Sequence, residues 1–432
     1  MKLRSLFLAT LAAMAMISCS NENDPIADGG NNAEKNAVMQ FRFSYQPSGA
    51  ATRATEAGLA KEQTFSQALL FVAYTNGTDK AIAKTIARDE FAPVSSEANP
   101  SSDGKYYQST PFEVVAGEVK AYVIMNPDAA ALALIGTINN QVMAPAAVEA
   151  KLKELTSSVV PDAENSFIMY GETPAVANLI EKQTTTVTVT VTRIAAKLKE
   201  ETATASWDVT KPATNDNALD KTVKVNFKGY AFTNLTSASN IVEQSDKKVT
   251  EFIETSVFTG EFKAFEYLPM NAVADDAQIT YCFENYNADV NPANGTGITS
   301  ILYKAQIVAD GINDTEAVKD ANVYVWNNTV YSFAGLKEAF GTGLKLTDDS
   351  SIAEFGGINI YKYEGGMCYY RQPIYTGAAG NNVIVRNNVY KLAINSVSKL
   401  GFPTIIPAAD KTMMKLDLII EEWTVNDNSF DL

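Results

Sequence analysis

From Met39 the chain alternates. Met39, Phe41, Phe43 and Tyr45 are apolar or aromatic, while Gln40, Arg42 and Ser44 between them are polar. A period of two belongs to a half-buried strand. Thr184 to Thr192 repeats the pattern with Val187, Val189 and Val191 on one face and threonine on the other. β-Branching on both faces favours extended backbone. The same reading places strands at Ala68 to Tyr74, Phe112 to Val115, Val119 to Met125, Val223 to Phe227, Lys228 to Phe232, Ile279 to Glu284, Ile301 to Val308, Val323 to Val325, Ile358 to Tyr363, Met367 to Tyr370, Val383 to Arg386, Tyr390 to Ile394 and Met414 to Ile420. Few helices are expected. Pro145 opens one, with Val148, Leu152 and Leu155 as its apolar stripe. Ser332 caps another, which ends at Gly341. Closely spaced strands with Asn, Gly and Pro turns make the chain mainly β and indicate β-sandwiches. The pattern restarts after Lys199, so two sandwich domains are expected, 54–200 and 201–432.

Residues 1–18 follow another pattern. Lys2 and Arg4 precede an apolar run of 12 residues, Leu6 to Ile17. That is short of the ~20 residues a membrane helix needs and suits a secretory leader. The run ends at Met16-Ile17-Ser18-Cys19, which resembles a bacterial lipobox. Cys19 would then be acylated, with palmitate as one chain, and become the first mature residue. In an ordinary leader Cys19 would be incidental. Acyl chains anchor a protein to a membrane without spanning it. Residues 20–37 are polar and rich in Gly and Asn, as a tether is. Pro47 to Gly58 is small and polar and carries Arg53 followed by Ala54; such segments are where proteases cut.

Composition narrows the chemistry. The 432 residues include 50 acidic and 35 basic ones, a formal charge of −15, which argues against a nucleic-acid partner. Histidine is absent, which removes Ser-His and Cys-His nucleophile pairs and histidine zinc ligands. Three cysteines cannot staple so long a chain; Cys282 and Cys368, both on predicted strands, could pair or stay as buried thiols. Asp289 to Thr296 lacks the alternating acids and bidentate glutamate of a calcium loop, so a turn is expected. Tyr361, Tyr363, Tyr369 and Tyr370 read better as strand packing than as a sugar platform. No catalytic residue, cofactor or metal site is expected, and the composition favours a binding or structural protein over an enzyme.

Asn381 to Pro403, NNVIVRNNVYKLAINSVSKLGFP, resembles a stretch of the type V fimbrillins of Bacteroidales, the FimA-type and minor-fimbria-type pilins. Gly117 to Pro127 (GEVKAYVIMNP), Ser166 to Gly171 (SFIMYG), Val187 to Lys197 (VTVTVTRIAAK), Leu302 to Val308, Cys368 to Ile374 and Trp423 fit the same family. Cys19 and Arg53 fall in the family's places. The resemblance implies two transthyretin-like β-sandwich domains. It also implies export as an outer-membrane lipoprotein, trimming after an arginine by an arginine-specific protease, and polymerisation by donor-strand exchange. The residues around Arg53 depart from the family and are generic.

These readings meet at the two ends of the chain. Residues 1–18 are expected to be a lipoprotein signal peptide and 19–53 a propeptide. Trimming after Arg53 would remove the strand of Met39, Phe41, Phe43 and Tyr45. The sandwich it completes would then expose an apolar trench with unpaired backbone, a template for another chain. Met414 to Ile420 is expected as the last strand of its own domain, and the tail with Trp423, Val425, Phe430 and Leu432 as the donor. Head-to-tail use of groove and tail does not close on itself and builds a filament. The expected partners are copies of the chain itself, tip and anchor subunits, the protease and, in the precursor, the membrane. A stalk fimbrillin serving adhesion at the cell surface is the leading expectation. A tip or anchor subunit, or a surface glycan-binding lipoprotein, is the alternative; the last should show exposed Trp pairs, and the chain has three Trp.

Overall fold

The computed structural model describes residues 35–45, 55–94, 106–159, 161, 163–209, 223–244, 251–257, 265–270, 278–286, 297–326, 329–340, 360–374, 383–403 and 414–424. Cys19, Arg53, Ala54, Val425, Phe430, Leu432 and Asp289 to Thr296 lie outside them. Two units emerge, 1–34 and 35–432, and all described residues belong to the second.

The chain is mainly β. Its first half holds β1 (Ala37–Tyr45), β2 (Thr55–Ala57), β3 (Gln67–Tyr74), β4 (Ile82–Ala87), β5 (Phe91–Val94), β6 (Tyr106–Ser109), β7 (Phe112–Val114) and β8 (Gly117–Met125). Helices α1 (Ala129–Ala133), α2 (Ile135–Ile138) and α3 (Pro145–Lys153) follow, then β9 (Thr156–Ser157), β10 (Met169–Glu172), β11 (Ala177–Leu179) and β12 (Thr184–Arg193). The second half holds β13 (Ala195–Glu200), β14 (Ser206–Asp208), β15 (Lys224–Thr233), β16 (Ser239–Asn240), β17 (Leu268–Pro269) and β18 (Thr280–Phe283). It continues with β19 (Ser300–Val308), β20 (Val323–Trp326), β21 (Thr329–Tyr331), α4 (Phe333–Phe340), β22 (Ile360–Tyr363), β23 (Met367–Pro373), β24 (Asn388–Val397) and β25 (Met414–Thr424).

One ten-stranded sheet forms the first half, in the order β4-β3-β8-β10-β12-β1-β6-β5, with β11 and β7 as side branches. It folds over on itself: Leu70 and Val72 of β3 share one core with Phe41 and Phe43 of β1, Phe91 of β5 and Tyr107 of β6. Its other face carries Leu69, Phe71, Tyr122 and Ile124, which pack on the helices through Ala131, Ile138, Val148 and Leu152. The second half is a sandwich. A β18-β13-β24-β25-β2 sheet faces a β14-β15-β19-β23 sheet across Leu198, Phe227, Ile301, Tyr303, Tyr370 and Leu392.

Sheet membership changes at Ile194. β12 ends at Arg193 in the first sheet, and β13 pairs only with β18 and β24 of the second half, although a division at residue 200 would put it in the first. Expected strands Val223 to Phe227 and Lys228 to Phe232 are one strand, β15, with a bulge between Phe227 and Gly229. At that bulge β17 passes so close that a Cβ on Gly229 would sit 2.6 Å from the Leu268 carbonyl oxygen. Val383 to Arg386 is not a strand: Ile384 makes an isolated bridge with Asn285, and Arg386 and Asn387 form a turn, with Asn387 at φ 54°. Only Ile384 of that short apolar run is buried. Helix α3 buries Val148 and Leu152, and Ser332 caps α4 by accepting from the Gly335 amide. Tyr363, Tyr369 and Tyr370 are buried and Tyr361 is exposed. Cys282 and Cys368 are free and buried.

Candidate assembly site

β1 lies inside the first sheet. On one side it runs parallel to β12, pairing Met39 with Thr185, Phe41 with Val187, Phe43 with Val189 and Tyr45 with Val191. On the other it runs antiparallel to β6 and β7. The period-two pattern is what allows this. Met39, Phe41 and Phe43 are fully buried, and Tyr45 is 4% exposed. Phe43 is the centre of an aromatic cluster, 5.2 Å from Phe65, 5.3 Å from Tyr107 and 5.5 Å from Phe91 between ring centroids. The polar face is held as well. The Phe41 amide donates to Ser109 Oγ at 3.0 Å, and Arg42 Nε donates to Gln108 Oε1 at 2.9 Å. Taking β1 away would strip both β12 and the β6–β7 edge of their partner at once.

At its C-terminal end β1 reaches a buried junction between the two halves. β2, which begins two residues after Arg53, pairs in parallel with the end of β25, Thr55 opposite Glu422 and Ala57 opposite Thr424. The chain then turns through Ala60–Glu62 and drops Glu62, fully buried, into the centre. Its carboxylate accepts from the Leu59 amide at 2.6 Å, from Trp423 Nε1 at 2.9 Å and from the Tyr281 hydroxyl, and pairs with Lys197 at 2.9 Å. A buried carboxylate survives only when paired and hydrogen-bonded in this way.

Arg193, the last residue of β12, is buried beside it. Its Nε donates to the Glu62 carbonyl at 3.1 Å, and Nη1 donates to the Trp423 carbonyl at 3.2 Å and to Asn387 Oδ1 at 3.3 Å. The guanidinium carbon lies 4.6 Å from the Trp423 ring and 5.7 Å from the Tyr45 ring. Burial lowers its pKa, and the Glu62 charge opposes that shift; an arginine stays protonated regardless. The Tyr45 hydroxyl donates to the Gln63 carbonyl. Around the rim, Glu56 pairs with Lys391 at 2.8 Å and with Lys197 and Lys199 at 3.3 Å each.

Trp423 therefore corrects one expectation. The sequence pattern places it in the tail, but β25 continues through Thr424, pairing antiparallel with β24 as far as Glu422. Trp423 is fully buried, stacked on Tyr281 at 5.8 Å and edge-on to Phe167 at 5.7 Å. An indole with a buried carboxylate partner and two aromatic neighbours is core, not tail. Of the expected donor residues, Val425, Phe430 and Leu432 lie outside the described residues, as do Cys19, Arg53 and Ala54.

Sequence reasoning missed Glu62 and the cations around it. Arg193 and Lys197 stand four residues apart where one strand hands over to the next, and Glu62 sits in a polar run, so none shows a periodic signal. The segment with Arg386 has a second role of this kind. Arg386 grips Glu284 with two bonds of 2.5 and 2.6 Å and donates to the carbonyls of Ile241 and Asn240. Since β16 pairs with β9, this arginine ties the second half to the first. Asn126 does similar work after β8. At φ 51° it accepts from the Ser66 amide and donates to Thr64 and Phe167 carbonyls. Gly171 is required because a Cβ there would lie 2.2 Å from the Thr190 carbonyl oxygen of β12.

Nothing in this arrangement is set up for covalent chemistry. Burial pushes both the Cys282 and Cys368 thiols up to about 12, which makes them poor nucleophiles. Among the described residues no group of three His, Cys, Asp or Glu could hold a metal ion.

Residues 361–429 match the family of the major fimbrial subunit protein type IV, fimbrillin, C-terminal. That stretch is similar to a fimbrillin C-terminal region. Its match begins at β22 and includes Arg386, β24, β25 and Trp423. Several crystal structures are similar to this chain. One, described as a cell adhesion protein of Parabacteroides distasonis ATCC 8503, is 14% identical, with 90% of this chain and 100% of that chain covered and a TM-score of 0.49. The fimbrilin FimA of Porphyromonas gingivalis W83 is 15% identical over 91% of this chain and 100% of its own, at a TM-score of 0.44. The tip fimbrial protein Mfa3 of Porphyromonas gingivalis, with a C-terminal truncation, is 11% identical over 89% and 100%, at a TM-score of 0.43. No curated protein sequence matches the chain.

Proposed function

We propose that this chain is a fimbrillin and a stalk subunit of a cell-surface fimbria, exported as a lipoprotein acylated at Cys19, trimmed between Arg53 and Ala54, and polymerised by donor-strand exchange in the service of adhesion. The observation that carries the reading is β1. Its apolar face is buried, it is paired on both sides, and it precedes the small, polar stretch that contains Arg53. Trimming at Arg53 separates β1, together with Cys19, from the rest of the chain. What remains has a trench lined by Val187, Val189, Val191, Phe65, Phe91 and Tyr107. At roughly 25 cal/mol per Å² of apolar surface, refilling that trench is strongly favourable.

The donor is the segment after Thr424, with Val425, Phe430 and Leu432 as its apolar residues. Arg42 is spared by the protease because it sits inside β1 with its guanidinium on Gln108. Tip and anchor subunits would complete the fimbria at either end. The test is to trim the purified lipid-free precursor with an arginine-specific protease and follow assembly by electron microscopy and SDS-resistant ladders. The reading expects filaments from the trimmed subunit and none from the precursor or from a trimmed subunit lacking residues 425–432. Filaments from the uncut precursor would contradict it.

A further inference from the structure

The rings of Tyr45 and Trp423 share one buried cation, and they come from the two segments that assembly treats differently. We propose that Arg193 couples them: loss of Tyr45 with the propeptide loosens the seat of Trp423 and so unlocks the end of β25 for its role in assembly. This rests on the reading of residues 19–53 as removable, but its test does not need the cut.

The argument is local. Arg193 is 2% exposed, and one of its nitrogens, Nη2, has no hydrogen-bond partner. Its charge is held by carbonyl oxygens on one hand and by aromatic faces on the other, and cation–ring attraction is strongest where water is excluded. Tyr45 excludes it. The ring is buried, its hydroxyl is tied to the Gln63 carbonyl, and it stands 5.7 Å from the guanidinium carbon. With Tyr45 gone, water reaches the guanidinium and competes for its other bonds. Two of those, to the Trp423 carbonyl and to Asn387 Oδ1, fix the last turn of pairing between β24 and β25. A third, to the Glu62 carbonyl, fixes the turn that holds the carboxylate under the Trp423 indole. Arg193 is thus a positioning residue for β25, reporting the presence of β1 across the junction.

Hydrogen exchange on the uncut precursor, residues 20–432, tests this. Tyr45→Leu removes the ring and its hydroxyl while keeping apolar bulk; Tyr45→Phe keeps the ring. We expect Tyr45→Leu to raise exchange of the amides from Leu418 to Trp423 about tenfold or more, with Tyr45→Phe near wild type and the Val187–Val191 amides of β12 much less affected. Arg193→Met should give the same rise, and Tyr45→Leu should add nothing to it. Equal exchange in the Leu and Phe variants, a rise of the same size throughout β12, or additive effects of the two substitutions would overturn the coupling. Failure of the trimmed subunit to polymerise would bear on the stalk reading alone.

Discussion

Trp423 donates its indole N–H to Glu62 across a separation of 361 residues, at 2.9 Å, with both side chains fully buried. The bond joins the turn that follows β2 to the last described strand. It also makes Trp423 part of the fold that the subunit has before it meets another.

Replacing Trp423 should therefore destabilise the monomer. Trp423→Ala is expected to cost about 3–5 kcal/mol. Trp423→Phe keeps an apolar ring but removes one donor from a buried carboxylate, a loss of about 1–3 kcal/mol. Urea unfolding of the precursor measures both. A Trp423→Ala variant as stable as wild type would return this residue to the free tail.

Phe43 should matter only before trimming. Phe43→Ala empties the centre of the Phe65, Phe91 and Tyr107 cluster and is expected to cost the precursor about 3–5 kcal/mol. Once residues up to Arg53 are gone, the same substitution has no effect on the trimmed subunit. Parallel denaturation curves of the two forms check this.

Acid should release β2 from β25. Burial would raise the Glu56 carboxyl, but Lys391, Lys197 and Lys199 together outweigh it and hold the group below its ordinary value. Burial would lower Lys391, but Glu421 and Glu56 push it up to about 12. A carboxylate lowered in the fold stabilises above its unfolded value of ~4.3, and that contribution is lost as pH falls through the lowered value. A raised lysine contributes in full below its unfolded value of ~10.4 and loses it as pH rises through about 12. Pairing of β2 with β25 is thus firmest in the broad range between the two. Glu56→Gln should flatten the acid limb, which unfolding curves between about pH 3 and 7 would show; an unchanged limb would place the titrating group elsewhere.

At the front of the chain two outcomes are expected. Cys19→Ala should abolish labelling by radioactive palmitate, and filaments sheared from cells should begin at Ala54. Labelled Cys19→Ala protein, or filaments whose subunits begin at Cys19, would refute the processing scheme.

Strand positions were legible where one face is buried and the other wet. β1 and β12 carry that pattern in their residues, and the valines of β12 turn out buried as the alternation requires; β3 and β19 are read instead from runs of apolar residues that are buried on both faces. What the alternation cannot show is which strand pairs with which. The pairing of β2 with β25 joins segments hundreds of residues apart through three residues with little apolar character. The charged junction was hidden for a related reason. Arg193, Lys197 and Glu62 look like solvated residues one at a time, and become a site only when three strands and a turn converge. Arg386 was read as the end of a strand because Val383 to Val385 is apolar; the apolar run is instead the approach to a buried ion pair. Trp423 lies past the alternation that ends at Ile420, so the sequence pattern does not show that β25 continues through it.

The central claim is that the tail of one subunit fills the place that β1 leaves in another. A flexible thiol cross-linker between cysteines placed at Val189→Cys and Phe430→Cys in trimmed subunits tests it directly, since Val189 faces Phe43 across the β1–β12 pair and the native Cys282 and Cys368 are buried. The account predicts a cross-linked dimer only when subunits carrying each single substitution are assembled together. Filaments that form normally from this mixture but yield no cross-linked dimer would contradict it.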